Sequence, residues 1–420
     1  MSKKKIIIIA LIVFLGLDLA YLSYLLFFRP KPIVGPPVIS PTPTARLPEI
    51  SPGAITPGIT PGQSAFPLGK PSVTPEASPL EEGPLAGISE IAQGGRTWIN
   101  PITAESVLDP VLSTDGTKSY FYSQKTGQFF ELTPDGQKKS LTDQVFYQVK
   151  KIDWSPDRSK AIIEYPDNFK ILYDFQQKKQ YSLPNNWSDF SWNPYGDKIA
   201  FKIDSKYPEE RWLAVSRPDG TMSQLIEPMG ENADKVVVSW SPNNQIIAFS
   251  ATGEPRGLWE QEILPIGLYG ENFRSIIVDG RNFQPKWSPA GDKIVYSVYN
   301  QESNFQPKLY LVEAEGDRIG ANKKDLGLTT WAEKCAFNQS GTYLYCAVPR
   351  NLPEGAGLLP ALAENTIDDF YQIDVATGWA TFLAEAVGGY NVQNPYLSAD
   401  EKYLYFTDKN IGFLRSVRLK

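Results

Sequence analysis

The chain of 420 residues predicts an all-β fold: a seven-bladed β-propeller of four-stranded antiparallel blades, with six blades as the alternative count, behind one transmembrane helix and a proline-rich linker. Three observations predict it: a long apolar run near the N-terminus, a proline-dense stretch after it, and a hairpin pattern that returns seven times. They divide the chain into a basic tip (1–5), a membrane span (6–28), a linker (29–85) and a propeller domain (86–420).

The run IIIIALIVFLGLDLAYLSYLLFF follows Lys3, Lys4 and Lys5 and extends from Ile6 to Phe28. As a helix rising about 1.5 Å per residue it reaches roughly 34 Å, enough for a hydrocarbon core of about 30 Å. Its many Ile, Leu, Val and Phe residues each favour insertion by about 0.3–0.6 kcal/mol, which outweighs the roughly 2.5–3.5 kcal/mol cost of Asp18 near the centre. The three lysines exceed Arg29 and Lys31 on the other side, so the N-terminus is expected in the cytoplasm and the propeller outside it. A cleaved signal peptide is the rival reading, but Asp18-Leu19-Ala20 is not the small-residue site that cleavage uses. The expected location is therefore the cell membrane, with a single pass and contact with lipid through residues 6–28.

Between Pro30 and Pro84 there are fifteen prolines in 55 residues, with PTPT, ITPGITPG and SVTPEASP runs. Few large apolar side chains occur there, so no core forms and polyproline II is favoured. Such a segment acts as a spacer.

The remainder repeats. Aligned on one turn, the copies read PVLSTDGTKSYFY, KIDWSPDRSKAII, DFSWNPYGDKIAF, VVSWSPNNQIIAF, QPKWSPAGDKIVY, KCAFNQSGTYLYC and NPYLSADEKYLYF, anchored on Leu112, Trp154, Trp192, Trp240, Trp287, Phe337 and Leu397. Each is an apolar strand, a tight turn and a second apolar strand. Pro156, Pro194, Pro242 and Pro289 preset φ in the turn, and Gly116, Gly196, Gly291 and Gly341 accept the left-handed position. A third, aromatic-rich strand follows each hairpin, at GQFFELT, FKILYDF, RWLAVSR, GLWEQEI, KLYLVEA, DFYQIDV and IGFLRSV, and a fourth usually comes after it. Four antiparallel strands every 40 to 60 residues describe a propeller blade. The seventh copy ends at Lys420 after three strands, so the segment 94–104 is expected to supply its fourth and cover an open edge.

WSPDR (154–158), WSPNN (240–244) and WSPAG (287–291), each leading into an I-A-F-like strand, resemble the WSPDG-x-x-I-A-F repeat of TolB-like, WD-repeat-like propellers. The same repeat occurs in the propeller domains that precede prolyl-oligopeptidase-type hydrolases. The resemblance spans residues 108 to 420 and is carried by the Trp-containing copies; many members have six blades. It brings no catalytic residues with it and implies architecture and a binding role.

Composition narrows the chemistry. The chain has no histidine, which removes the usual base near neutral pH and the commonest metal ligand. There is no G-x-S-x-G motif, and the Asp residues of STDG, SPDR, TPDG and RPDG read as turn formers. The net charge of −6 is mild and does not suggest a nucleic-acid partner. No catalytic residue, metal or cofactor is expected. The reading is a scaffold that binds a protein or another cell-envelope component. The alternative is a propeller enzyme of hydrolase or lyase type with a carboxylate or metal site at the channel mouth. The repeat tryptophans read as packing residues.

Turns between first and second strands are short in every copy, whereas connections between second and third strands grow to the 20 residues of 349–368. Alternate connections emerge on opposite faces, so one face is trimmed and the other elaborated, and long loops on rigid scaffolds carry function. The candidate binding residues on the elaborated face are Trp187, Tyr207, Arg211, Arg256, Arg350, Leu358, Leu359 and Tyr390. Replacing residues 353–364 is expected to leave melting nearly unchanged. Cys335 and Cys346 fall on adjacent strands, near neighbours if Phe337 faces Leu344; a disulfide and two buried thiols both remain open.

Overall fold

The repeat unit closes on one hydrogen-bond pattern. The residue after each anchor is Ser or Asn: Ser113, Ser155, Asn193, Ser241, Ser288, Asn338 and Ser398. Its side-chain oxygen accepts the backbone N–H five residues on, from Lys118, Lys160, Lys198, Ile246, Lys293, Tyr343 and Tyr403, at 2.9–3.0 Å in all seven copies. Three residues after that Ser or Asn the backbone turns left-handed, at Gly116, Arg158, Gly196, Asn244, Gly291, Gly341 and Glu401. Glycine takes that conformation freely, whereas an L-residue pays roughly 1–2 kcal/mol. Arg158, Asn244 and Glu401 hold it in three of the copies without glycine.

In this computed structural model, residues 87–420 are described, except 134, 135 and 255. The predicted membrane span 6–28 and linker 29–85 lie outside the described residues, as does part of the TPDG turn. Among the described residues no helix is long and apolar enough to cross a membrane.

The fold is a β-propeller. Copies two, three, four and five each form a separate four-stranded antiparallel sheet: Lys151–Trp154 to Lys179–Leu183, Trp187–Trp192 to Gln224–Pro228, Val236–Val238 to Ile276–Val278, and Arg281–Trp287 to Lys324–Thr329. Copy six, Cys335–Phe337 to Ala380–Ala386, gains Gly95–Thr97 as a fifth strand, parallel to its outer edge. Copies seven and one share a sheet of seven strands through the long strand Ile99–Leu112. Among the described residues there are thus six hydrogen-bonded sheets. In the seventh copy the missing strand comes from the N-terminus: Ile99, Asn100 and Pro101 pair with Val417, Ser416 and Arg415. After an irregularity, Val107–Leu112 pairs instead with Ser119–Ser123 and begins the first copy.

Strands in the middle of a sheet are apolar on both sides because sheets pack on both faces. In Lys160–Glu164, Ala161 and Ile163 join a cluster with Phe129 and Trp154, while Ile162 joins the next, with Trp187 and Phe201. Successive side chains point to opposite faces of a strand, so a run such as AII is what two buried faces require. The third strand of copy four departs from the sequence reading. It spans Gln261–Ile266, three residues beyond the end of GLWEQEI, and leaves Leu258 exposed in the preceding loop. Gln261–Ile266 alternates against its neighbours, whereas Gly257 takes a left-handed φ that interrupts extended pairing.

Cys335 pairs with Cys346, and Phe337 with Leu344, in the inner hairpin of copy six. The two sulfurs are joined in a disulfide, and both cysteines are fully buried.

Candidate functional site

The seven inner hairpins surround one cavity of about 980 Å³. Every copy contributes to its wall, from Asp109–Gly116 in the first to Asn394–Ala399 in the seventh. The cavity opens on the face of the short hairpin turns. The repeat tryptophans stitch this wall. The indole N–H of Trp154 donates to Asp109 O at 2.9 Å, that of Trp192 to Asp153 O at 3.1 Å and that of Trp287 to Ser239 Oγ at 3.0 Å, each one copy back in the ring. Trp240 instead bonds its own turn through Asn244 Oδ1 at 2.8 Å. The sequence reading of these residues as structural matches these contacts.

The ionisable groups of the funnel divide by partner. Asp109 is half-buried and accepts from Ile152 N–H at 2.9 Å and from Asn394 Nδ2 at 3.2 Å, so it ties copies seven, one and two together. Burial pushes its carboxyl above the usual range. Asp153 is paired with Lys151 at 2.9 Å. Asp115 is held at about 2 by the hydroxyl of Ser113 and by Thr117. On the cationic side, Lys286 donates to Cys335 O, and desolvation brings its ammonium down to about 8. Arg158 reaches Leu112 O at 3.1 Å and Ser155 O at 3.0 Å. Among the described residues no group of three or more His, Cys, Asp or Glu side chains stands close enough to hold a metal ion.

On the opposite face, the eight residues singled out from the sequence meet different fates. Trp187 is 6% exposed and stacks on Phe201 with ring centroids 3.7 Å apart; it is a core residue. Arg211 fastens two loops, donating to Ser205 O at 2.7 Å and standing 3.6 Å from Glu231. Arg350 is bonded to Asp369 at 2.7 Å and lies 3.4 Å from Glu385; the Asp369 bond raises its guanidinium above the ordinary value. Tyr390 packs near Phe406 and under the Arg415 guanidinium, 4.5 Å from its ring centroid. Tyr207 and Arg256 are open to solvent, Arg256 with Glu262 4.0 Å away.

Leu358 and Leu359 are each 56% exposed, and Leu362 is 44% exposed. The loop that carries them is nevertheless docked. Ala356 and Ala363 are buried with Leu352 around Trp331. Gly355 N–H donates to Asn304 O at 2.9 Å and Gly357 N–H to Phe305 O at 2.7 Å. Asn391 Nδ2 donates to Ala363 O and Glu364 O, both at 2.9 Å. Beneath lies a buried ion pair, Lys334 to Asp368 at 2.6 Å, with Asn391 Oδ1 as the second acceptor of the ammonium. The expectation that residues 353–364 can be exchanged without loss of stability is therefore corrected: Ala356 and Ala363 are core. Phe305 also meets the ring of Trp259 at 5.5 Å, so the long loops of copies four, five and six touch in series.

Sequence reasoning missed Lys286, Asp109 and Asp153. One signal was available: each precedes a repeat anchor by one to three residues, on the strand that lines the channel.

No protein-family profile matches the chain, and no curated protein matches its sequence. Solved structures do. An oligogalacturonate lyase in complex with manganese is similar at 15% identity, covering 77% of this chain and 93% of its own, with a TM-score of 0.54. The Swd1 β-propeller domain of Myceliophteria thermophila is similar at 11% identity, covering 77% and 100%, with a TM-score of 0.53. At these identities the likeness is one of fold, and the fold it supports is the β-propeller.

Proposed function

We propose that this chain is a binding scaffold: a propeller of seven blades, anchored in a membrane by residues 6–28 and lifted from it by residues 29–85, which captures a protein partner on its elaborated face. The sevenfold count follows from dividing the seven-stranded sheet at the irregularity in Ile99–Leu112, which gives every repeat four strands. A disulfide in the inner hairpin of copy six suits a domain outside the cytoplasm.

One observation carries the binding role. The 349–368 loop buries Ala356 and Ala363 and packs Leu352 against Trp331, yet leaves Leu358, Leu359 and Leu362 exposed. Burying a leucine side chain is worth about 1.5–3 kcal/mol, so folding alone favours the reverse arrangement. A docked backbone that holds Leu358, Leu359 and Leu362 outward keeps apolar surface ready for a partner at little ordering cost.

The test is site-specific photo-crosslinking of the full-length protein in its native membrane. A probe at position 358 or 362 should give one discrete protein adduct, and a probe at position 115, on the hairpin-turn face, should not. The triple change Leu358→Ser, Leu359→Ser and Leu362→Ser should abolish capture with the melting temperature unmoved. Equal adducts from both faces, or lipid adducts alone, would show the reading to be wrong.

A further inference from the structure

The funnel on the opposite face has a charge balance that its own residues leave incomplete. Each of its acids is engaged internally: Asp109 by Ile152 and Asn394, Asp115 by Ser113 and Thr117, and Asp153 by Lys151. Its two other cations have only neutral carbonyl acceptors. Lys286 bonds Cys335 O, and Arg158 bonds Leu112 O and Ser155 O. Among the described residues no carboxylate lies within ion-pair distance of either. The acids nearest in effect are Glu333 and Asp157, and Asp157 already accepts from Ser155 and Ser159 at 2.6 Å. A half-buried lysine that lines a cavity without a partner anion is a costly arrangement, and a bound anion relieves it.

Aromatic rings stand in the rest of the wall among prolines and small polar residues, and several have their polar atoms engaged. Trp192 and Trp287 spend their N–H groups on the neighbouring copy, and Tyr396 its hydroxyl on Ser119 at 2.9 Å. Phe337 stands on the strand whose carbonyl Lys286 binds. What these rings offer a ligand is apolar surface. A cavity of about 980 Å³ lies at the upper end of what small-molecule sites need, and a few placed polar groups on apolar walls are their usual composition.

We infer that the funnel is a second binding site, for a small organic anion with a ring-shaped apolar face, whose anionic group sits on the Lys286 ammonium with Arg158 as the supporting cation. It is separate from the leucine-bearing face and does not depend on the partner proposed for it.

Pyridoxal 5′-phosphate combines an anionic group, an aromatic ring and an aldehyde, and so serves as a residue-specific probe. The neutral amine adds to the aldehyde carbon, water leaves, and borohydride delivers hydride to the imine carbon, fixing the adduct for peptide mapping. A lysine held at about 8 has a useful neutral fraction near neutral pH. On the full-length protein in detergent, Lys286 should label at least tenfold faster than any exposed lysine. Pyridoxine 5′-phosphate, which lacks the aldehyde, should protect it, and Arg158→Gln should slow labelling severalfold at a temperature where the variant is still folded. Lys286→Met should remove the site-specific adduct. Labelling spread evenly over surface lysines would overturn the inference. So would fast labelling of Lys286 that pyridoxine phosphate does not slow, since that describes a reactive amine without a ligand site.

Discussion

The two faces of the disc are built by opposite rules. On the hairpin-turn face one solution is repeated seven times: a Ser or Asn cap, a left-handed residue three positions later, and a bond closing five residues on. On the other face no two connections agree, and they include short 3-10 turns at Pro208–Glu210, Ala332–Lys334 and Pro360–Ala363. The difference lies in what each face must satisfy. The inner hairpins must fit the same ring at every copy, so their geometry is copied. The outer connections need only return to the next strand, and they are free to bury alanines, expose leucines or enclose an ion pair.

Breaking the ring should cost most, because both faces presuppose it. A chain beginning at Glu105 lacks Gly95–Thr97 and Ile99–Pro101, and with them the outer strand of the seventh repeat. Compared with a chain beginning at Ala86, it should lose a stability comparable to the whole of a typical domain's, about 5–15 kcal/mol, and aggregate at the bared edge. Melting curves and size-exclusion profiles that coincide for the two chains would disprove the closure.

Next comes the elaborated face. Lys334→Met leaves Asp368 buried with no cation, and its Oδ1 already has no hydrogen-bond partner. The expected loss is about 3–5 kcal/mol in urea unfolding. Burial raises the Asp368 carboxyl, so the folded state holds its proton more tightly than the unfolded chain. The sign then follows: the deficit should shrink as pH falls and grow as pH rises through the folded-state value. A pH-independent deficit would assign the loss to packing.

In the core beside the funnel, the paired change Cys335→Ala and Cys346→Ala removes a link spanning 11 residues, with an expected cost of about 2–3 kcal/mol. Denatured, unreduced protein should show no free thiol, and reductant should lower the melting temperature of the native protein but not of the variant.

The smallest effect tests the repeated turn itself. The Ser398 hydroxyl, followed by the Lys402 N–H, holds Asp400 at about 2, below its unfolded value near 4. Its contribution is present above the unfolded value and is lost as pH falls through about 2. Carboxyl titration by NMR should place Asp400 well below the exposed aspartates, and Ser398→Ala should return it towards them.

Sequence alone determined the elements that depend on near neighbours. The turn chemistry lies within six residues, so seven hairpins, their anchors and the Cys335–Cys346 register could be read directly, and counting strands exposed the gap that residues 99–101 fill. The same reading set the third strand of copy four too early, because strand ends there depend on pairing across the sheet. Only the tertiary structure decided which side chains are free. Trp187 looked like an interface anchor until Phe201, fourteen residues on, covered it. The leucine loop looked replaceable until Trp331 and Asn391 were found beneath it, and Lys286 was unremarkable until its surroundings proved to lack an anion. Those outcomes turn on residues brought together across repeats, about fifty positions apart in the chain for Lys286 and Cys335. Burial and charge pairing are properties of that assembled neighbourhood, and no local pattern encodes them.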